Sequence, residues 1–561
     1  MSYETIATDI LIIGGGGAAA MAALPPRLNG AKVTIISKEN SMVGGATITA
    51  AGGTCIVWNP EDSPEIFYAD IMRGGDDINN PKLVRILAEG STKGLLKLED
   101  YGFFLDRRGL GINKGEGHSF PRGYLDRREA VGFCHGLNKA LIKSGVEFYP
   151  EVVAFKILKM GGRAAGVAAY SLATGEFLVF NAKAIVLATG GLGALYKTST
   201  NPRTLTGDGY AMAWEAGAEM VDMEMVQFLP LAFPYPKSRE GLNIGICSLF
   251  GPGVKLFNGR GERYMERYDP KRLEFATRDV VSRANFLEVK EGRGSKNGAV
   301  FLDARDHTPE TLKKFQTFHP DIYRMLKEVF GEKAARWEEP FEIIPSQHFF
   351  MGGVAINENC ETSVPGLFAV GEVAGGVHGA NRMSGCALTE VFVFGDRLGQ
   401  KLKSWAKKEK LIKPLKSEIE ESIGKLQDTF SHNGKGARPF EVKQEIREIF
   451  WNSFGPSRDG KDMRAGLNRV LKLQADLDNV AIKDQSAKYN RERMEAIEVS
   501  MMLKTGILVA KAALARKESR GAHYRVDYPL RDDAHWLKNI IMRKGSGGEA
   551  KISYKKTGTA E

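Results

Sequence analysis

"TDILIIGGGGAAAMAAL", residues 8–24, decides the fold. The apolar run Ile10 to Ile13 reads as a strand, and Gly14-x-Gly16-x-x-Ala19 turns it into an alanine-rich helix. In such a turn the first glycine makes the tight bend and the second lets a pyrophosphate approach the backbone. The small third residue lets the helix pack on the strand. A second apolar strand, "AKVTIIS" (31–37), completes a βαβ unit that can bind a dinucleotide at the helix N-terminus. Gly14, Gly16, Gly17 and Ala18 are the first candidate cofactor residues. Two details depart from a simple nicotinamide site. Ser37-Lys38 stands where a ribose-binding acid is expected, with Glu39 one step late, and Pro25-Pro26 predicts an early end or kink of the first helix.

Further glycine-rich junctions follow. "GGATITAAGG" (44–53) is a small-residue loop able to let a flat ring lie against backbone. "AKAIVLATGG" (182–191) and "PGLFAVGEVAGG" (365–376) each run from strand into turn, and "TGDGYAMAWEAGA" (206–218) places Asp208 before a helix. An ordered series of such junctions is not explained by glycine's freedom at isolated turns.

At 561 residues the chain exceeds one ordinary core, and 43% hydrophobic residues supply ample surface to bury. The net charge of +10 is spread along the chain without an aromatic-interleaved basic groove, which argues against nucleic acid and for anionic substrates or an acidic partner. The basic stretch "KLKSWAKKEKLIKPLK" (401–416) reads as a solvated helix end and linker. No apolar run long enough for a membrane span and no signal-peptide pattern occur, so a cytoplasmic location is expected. The five cysteines, Cys55, Cys134, Cys247, Cys360 and Cys386, are scattered and never spaced as a cluster site. No metal site is expected here, and any iron–sulfur clusters must sit on another chain.

Together these segments resemble the flavoprotein subunit family of succinate dehydrogenases and fumarate reductases, which includes L-aspartate oxidase and soluble fumarate and urocanate reductases. The most specific stretches are "TRDVVSRA" (277–284), "HFFMGGV" (348–354), "GEVAGGVHGANR" (371–382) and "ARKESRGAHYRVDYPLRDD" (515–533). The resemblance implies an α/β, Rossmann-like FAD-binding domain with an inserted α+β capping domain and a C-terminal helical domain. The expected boundaries are 1–235 with 345–400 for the FAD domain, 236–344 for the cap, 415–542 for the helices and 543–561 for a loosely ordered or edge-strand tail. From about residue 415 apolar residues recur three and four apart, which independently predicts helices.

The cofactor residues expected on this basis are the four above with Ser37, Lys38, Gly44, Gly45, Ala46, Thr47, Gly52, Gly53, Val153, Thr189, Gly190, Asp208, Glu372, Arg382, Ala387 and Leu388. The resemblance implies that Arg382 and His348 hold a substrate carboxylate and that Arg278, with Asp279 as relay, delivers a proton. It also implies a small carboxylic-acid substrate, an iron–sulfur partner that carries electrons, and membrane association only through partner subunits.

Two departures qualify the match. The family histidine that links covalently to flavin is Ala46 here, so the FAD is expected to be non-covalent. The "Q-F-H-P-T" stretch is "QFLPL", with Leu229 in place of the histidine that meets a second carboxylate, and the following Thr-Glu is not recognisable. With one carboxylate site intact and the other missing, an apolar wall at Leu229 predicts a preference for acids with an uncharged far end over fumarate. The chemistry expected is hydride exchange between flavin and the carbon–carbon bond next to a carboxylate. The alternatives are an L-aspartate oxidase-like enzyme and a flavin electron-transfer subunit with a relic pocket.

Overall fold

A computed structural model describes residues 2–50, 53–111, 114–125, 128–431 and 436–557. The opening strand, Glu4–Ile13, is longer than its apolar core because its first residues pair with Leu178 to Asn181. Ile10 to Ile13 are buried on both sides, as in a central parallel strand. It lies between the parallel strands Val33–Ile36 and Phe177–Leu187. The sheet continues outward to Glu147–Tyr149 on one side and to the antiparallel strands Arg163–Ser171 and Val152–Met160 on the other. Leu367–Ala369 returns late in the chain to pair with Phe177–Leu187, which makes this unit discontinuous in sequence.

The first helix, Gly17–Leu28, does not stop early. It runs through Pro25 and Pro26, both buried. A Cβ at Gly399, on the helix Cys386–Lys408, would stand 2.7 Å from the Pro25 ring, so close packing against that helix holds the last turn despite two missing N–H donors.

A second sheet holds Asn243–Gly245, Val226–Ala232, Phe341–Phe350, Val300–Asp303 and Lys255–Phe257 in that order. Of its two long strands, Val226–Ala232 lies before the expected 236–344 segment and Phe341–Phe350 runs past its end. The helix Arg278–Lys290 is fixed to this sheet by Ser282 Oγ and Asn285 Nδ2, which donate to the carbonyls of Phe228 and Pro230 at 2.9 Å each. The expected C-terminal helices form over Lys416–Ser431, Pro439–Phe454, Gly460–Ala475 and Arg491–Ala515.

The chain then returns to strand. Lys538–Lys544 pairs with Met220–Val221, and Ala550–Lys556 forms the outer edge of that sheet, so the tail is an edge hairpin whose first strand begins before residue 543.

Candidate active site

One cavity runs from the opening βα turn to the inserted segment. It is lined by Gly14 to Ala18, Ser37, Lys38, Gly44 to Thr47, Gly53, Thr189, Gly190, Asp208, Glu372, Arg382, Ala387 and Leu388. Two of the expected cofactor residues are not among them. Val153 has its side chain in the core, since strand alternation turns Val152 and Ala154 to the cavity instead. Gly52 lies outside the described residues.

The turn is built for a close-approaching ligand. Gly14 has φ +117°, and a Cβ there would strike the carbonyl of Ala188 at 2.2 Å. Thr47 Oγ accepts from the Gly17 N–H at 3.1 Å and so ties the small-residue loop to the helix start. Glu39 accepts from the Gly45 N–H at 3.0 Å and from the Thr204 hydroxyl at 3.2 Å, so this late acid holds that loop. Ser41 Oγ and Thr189 Oγ are buried without a partner, as expected of groups that meet a bound polar ligand.

Lys38 reaches Glu498 of the last long helix at 2.7 Å, Asp208 at 2.9 Å and the Thr206 hydroxyl at 2.7 Å. Burial opposes its charge, but Asp208 and Glu498 overcome that and raise its pKa.

At the other end stand two guanidiniums. Arg382 is buried, 4.8 Å over the Phe349 ring, and its Nε has no partner. Burial first, then Arg278, bring its pKa down to about 9, so it stays charged at neutral pH. Arg278, the first residue of its helix, donates from Nη2 to Ser384 Oγ at 2.9 Å, while its Nε and Nη1 are buried and unpartnered. His348 Nδ1 lies 2.8 Å from Thr200 Oγ, and burial with the two guanidiniums holds the ring neutral. Gln227 donates to the carbonyl of Arg382 at 2.8 Å and to Asn381 at 2.6 Å, which fixes the backbone that carries the arginine.

Two matching sequence profiles account for most of the chain: "FAD binding domain" over residues 9–388 and "Fumarate reductase flavoprotein C-term" over 443–561. The protein belongs to the fumarate reductase and succinate dehydrogenase flavoprotein family. It is 36% identical over 553 residues to a fumarate reductase (CoM/CoB) subunit of Methanothermobacter marburgensis, covering 97% of this chain and 98% of that one. It is 30% identical to the succinate dehydrogenase flavoprotein subunit of Rickettsia conorii, covering 98% and 94%. The solved quinol fumarate reductase flavoprotein of E. coli superposes with a TM-score of 0.90 at 29% identity, covering 99% and 98%. As a flavoprotein of this family the chain is an FAD-dependent oxidoreductase, and the glycine turn with its unpartnered hydroxyls fits that cofactor. Among the described residues, no helix is long and apolar enough to cross a membrane.

This flavoprotein also holds residues that the sequence reading missed. Asp279 accepts from Asn381 at 2.8 Å. A second carboxyl, Glu116, acts on Arg278; its Oε2 is buried and unpartnered and its pKa is pushed up to about 7 by burial. Gly115 beside it packs on Ser384, the residue that seats Arg278. Besides Leu229 the cavity is lined by Asn243, Ile246, Leu249 and His319, and His319 Nδ1 is buried and unpartnered. Loop residues of this kind carry no periodic signal.

Proposed function

We propose that the protein interconverts an alkene carrying a carboxylate and its saturated acid, with fumarate and succinate as the leading pair. The observation that carries this reading is the pair of buried guanidiniums, Arg278 and Arg382, which line one cavity and have three nitrogen atoms without a partner. Buried charge without a counter-ion is costly, so this end of the cavity is made for an anion. Arg382 and His348 would hold the carboxylate. A hydroxyl hydrogen given by Thr200 to His348 Nδ1, 2.8 Å away, would leave the imidazole hydrogen on Nε2 to donate to that carboxylate.

FAD, when bound, supplies the hydride exchange. As hydride reaches one carbon, negative charge builds toward the carboxylate, where a forked guanidinium stabilises it. Arg278 would protonate the neighbouring carbon, and Glu116, one oxygen shielded and the rest of the residue partly open, would return the proton to it.

Leu229 alone argued for an uncharged far end, but the cavity adds to it. Glu372, the carboxyl that lines this end among the described residues, is pushed up to about 8 by burial and accepts from the Phe350 N–H, so two positive charges face the substrate. A dianion balances them, and His319, which lines the same cavity, would meet its far end. The resemblance of the whole chain to subunits of fumarate reductases and succinate dehydrogenases supports an iron–sulfur partner for electron delivery.

The test is oxidation of a chemically reduced dye by the holoprotein on addition of fumarate, acrylate or cinnamate. Turnover of none of them, with a flavin that still reduces, would leave the electron-transfer reading. Peroxide formed from aspartate would favour an aspartate oxidase.

A further inference from the structure

Two thiols, Cys55 at the cavity wall and Cys386 in the core behind it, have no part in the site described so far. Cys55 ends the short strand Thr54–Cys55 and lines the cavity, and Cys386 opens the 23-residue helix Cys386–Lys408 between two lining residues, Gly385 and Ala387. Both are buried, and their sulfur atoms and a ring nitrogen of His118 lie within 4.8 Å of one another.

Three such groups suggest a metal, but His118 is already committed. Arg122 Nη1 lies 3.3 Å from His118 Nδ1, and a guanidinium can only donate, so Nδ1 accepts. Burial keeps the ring neutral, bringing its pKa down to about 4, and its one hydrogen is therefore on Nε2, 3.0 Å from the carbonyl of Ser384. No lone pair is left for a cation.

What remains is a pair of neighbouring sulfhydryls. A Cβ at Gly385 would lie 2.4 Å from Cys55 Sγ and 3.3 Å from the Cys55 nitrogen, so residue 386 follows directly on a close approach to residue 55. Cys55 keeps its hydrogen on the carbonyl of Ser384 at 2.9 Å, and hydrogen bonding with Cys386, then burial, push its thiol well above the ordinary range. Both sulfurs act electrostatically on Arg278 and Arg382, so negative charge developing on either meets two cations, and Cys386 also sits at a helix N-terminus.

We propose that Cys55 and Cys386 form a dithiol/disulfide couple that exchanges two electrons with the bound FAD. On oxidation each sulfhydryl loses its hydrogen, an S–S bond forms, and the two electrons and two protons convert FAD to FADH2; the reverse step splits the bond and regenerates both thiols. The couple shares the Ser384–Gly385 turn with the seat of Arg278, so closing the bond also draws on the residue that positions the substrate-facing guanidinium. This inference rests on the cofactor and not on the identity of the substrate.

The test uses holoprotein under anaerobic conditions. It is treated with the azo oxidant diamide, freed of reagent, denatured in iodoacetamide, digested and weighed. The expected product joins the Cys55 and Cys386 peptides, two hydrogens lighter than the free pair, while Cys134, Cys247 and Cys360 carry the alkyl group. A dithionite titration of the same oxidised sample should then consume two electron pairs per FAD, against one for Cys386→Ser or Cys55→Ala with FAD retained. Alkylated Cys55 and Cys386 after diamide, a link to a different cysteine, or uptake of a single pair by the parent would each overturn the couple. The mass measurement needs no variant, so it decides even if both substitutions prevent folding.

Discussion

Glu498 on the last long helix is bonded to Lys38 at the end of the second strand, Oε1 to Nζ at 2.7 Å, across 460 residues of chain. Its other oxygen meets Lys443 at 2.5 Å, so one buried carboxylate joins the nucleotide-binding turn to two helices of the C-terminal region. The helices therefore take part in holding the cofactor end of the cavity as well as burying their own apolar faces.

Glu498→Gln leaves Lys38 and Lys443 sharing too little negative charge in a dry site. Breaking a buried pair by removing one partner costs about 3 kcal/mol or more. Urea unfolding of the variant should show that loss, and fluorescence titration should show FAD bound roughly tenfold more weakly, about 1.4 kcal/mol.

With alanine at position 46 no imidazole is offered at the place of the family's covalent link. Acid or heat denaturation should release all the flavin as FAD. Yellow colour that stays with the precipitate would count against this.

Arg278 lies on the inserted segment, away from the glycine turn. Arg278→Lys should keep FAD bound and reducible, because nothing at the nucleotide end changes, yet lose roughly 100-fold or more in turnover as the fork that reaches both Ser384 and the substrate is gone. Steady-state rates beside a flavin reduction titration separate the two effects.

Glu116 has a folded pKa raised by burial from 4.5 to about 7. Between those values the folded protein binds the proton that the unfolded chain has lost, so its stability falls as pH rises from 4.5 to about 7 and the loss is complete above. Glu116→Gln has no such dependence. Relative to the variant, the parent should lose about 1–2 kcal/mol across that window, a figure reduced for the partial exposure of the residue. Urea unfolding at about pH 5 and about pH 8 measures it, and an equal difference at both would show that Glu116 does not titrate there.

The glycine turns were legible because each follows from a backbone constraint, as at Gly14, where any side chain would strike Ala188. The helices were legible from their period, and the first one outlasted its prolines only through contact with Gly399, which no local rule contains. Arg278, His348 and Arg382 were named through family motifs, and the structure brings them to one cavity. Glu116, Thr200, Ser384, His319 and Glu498 were not legible, since each matters through a partner 106 or more residues away in sequence or through an orphaned atom. Leu229 was legible as an apolar wall residue, while His319, from the turn between Pro309–Phe318 and Pro320–Phe330, lines the same cavity without any local signal.

The central claim is that two buried guanidiniums await a carboxylate beside the flavin. Its most direct test is kcat/KM for fumarate against fumaramide, which has the same shape without the charges, using a chemically reduced dye as donor. The amide facing Arg382 would leave a buried cationic donor without a charged partner, so the account predicts fumarate ahead by about 1000-fold or more, and that lead collapsing in Arg382→Gln. Equal rates for the two compounds, or a lead that survives in Arg382→Gln, would contradict it.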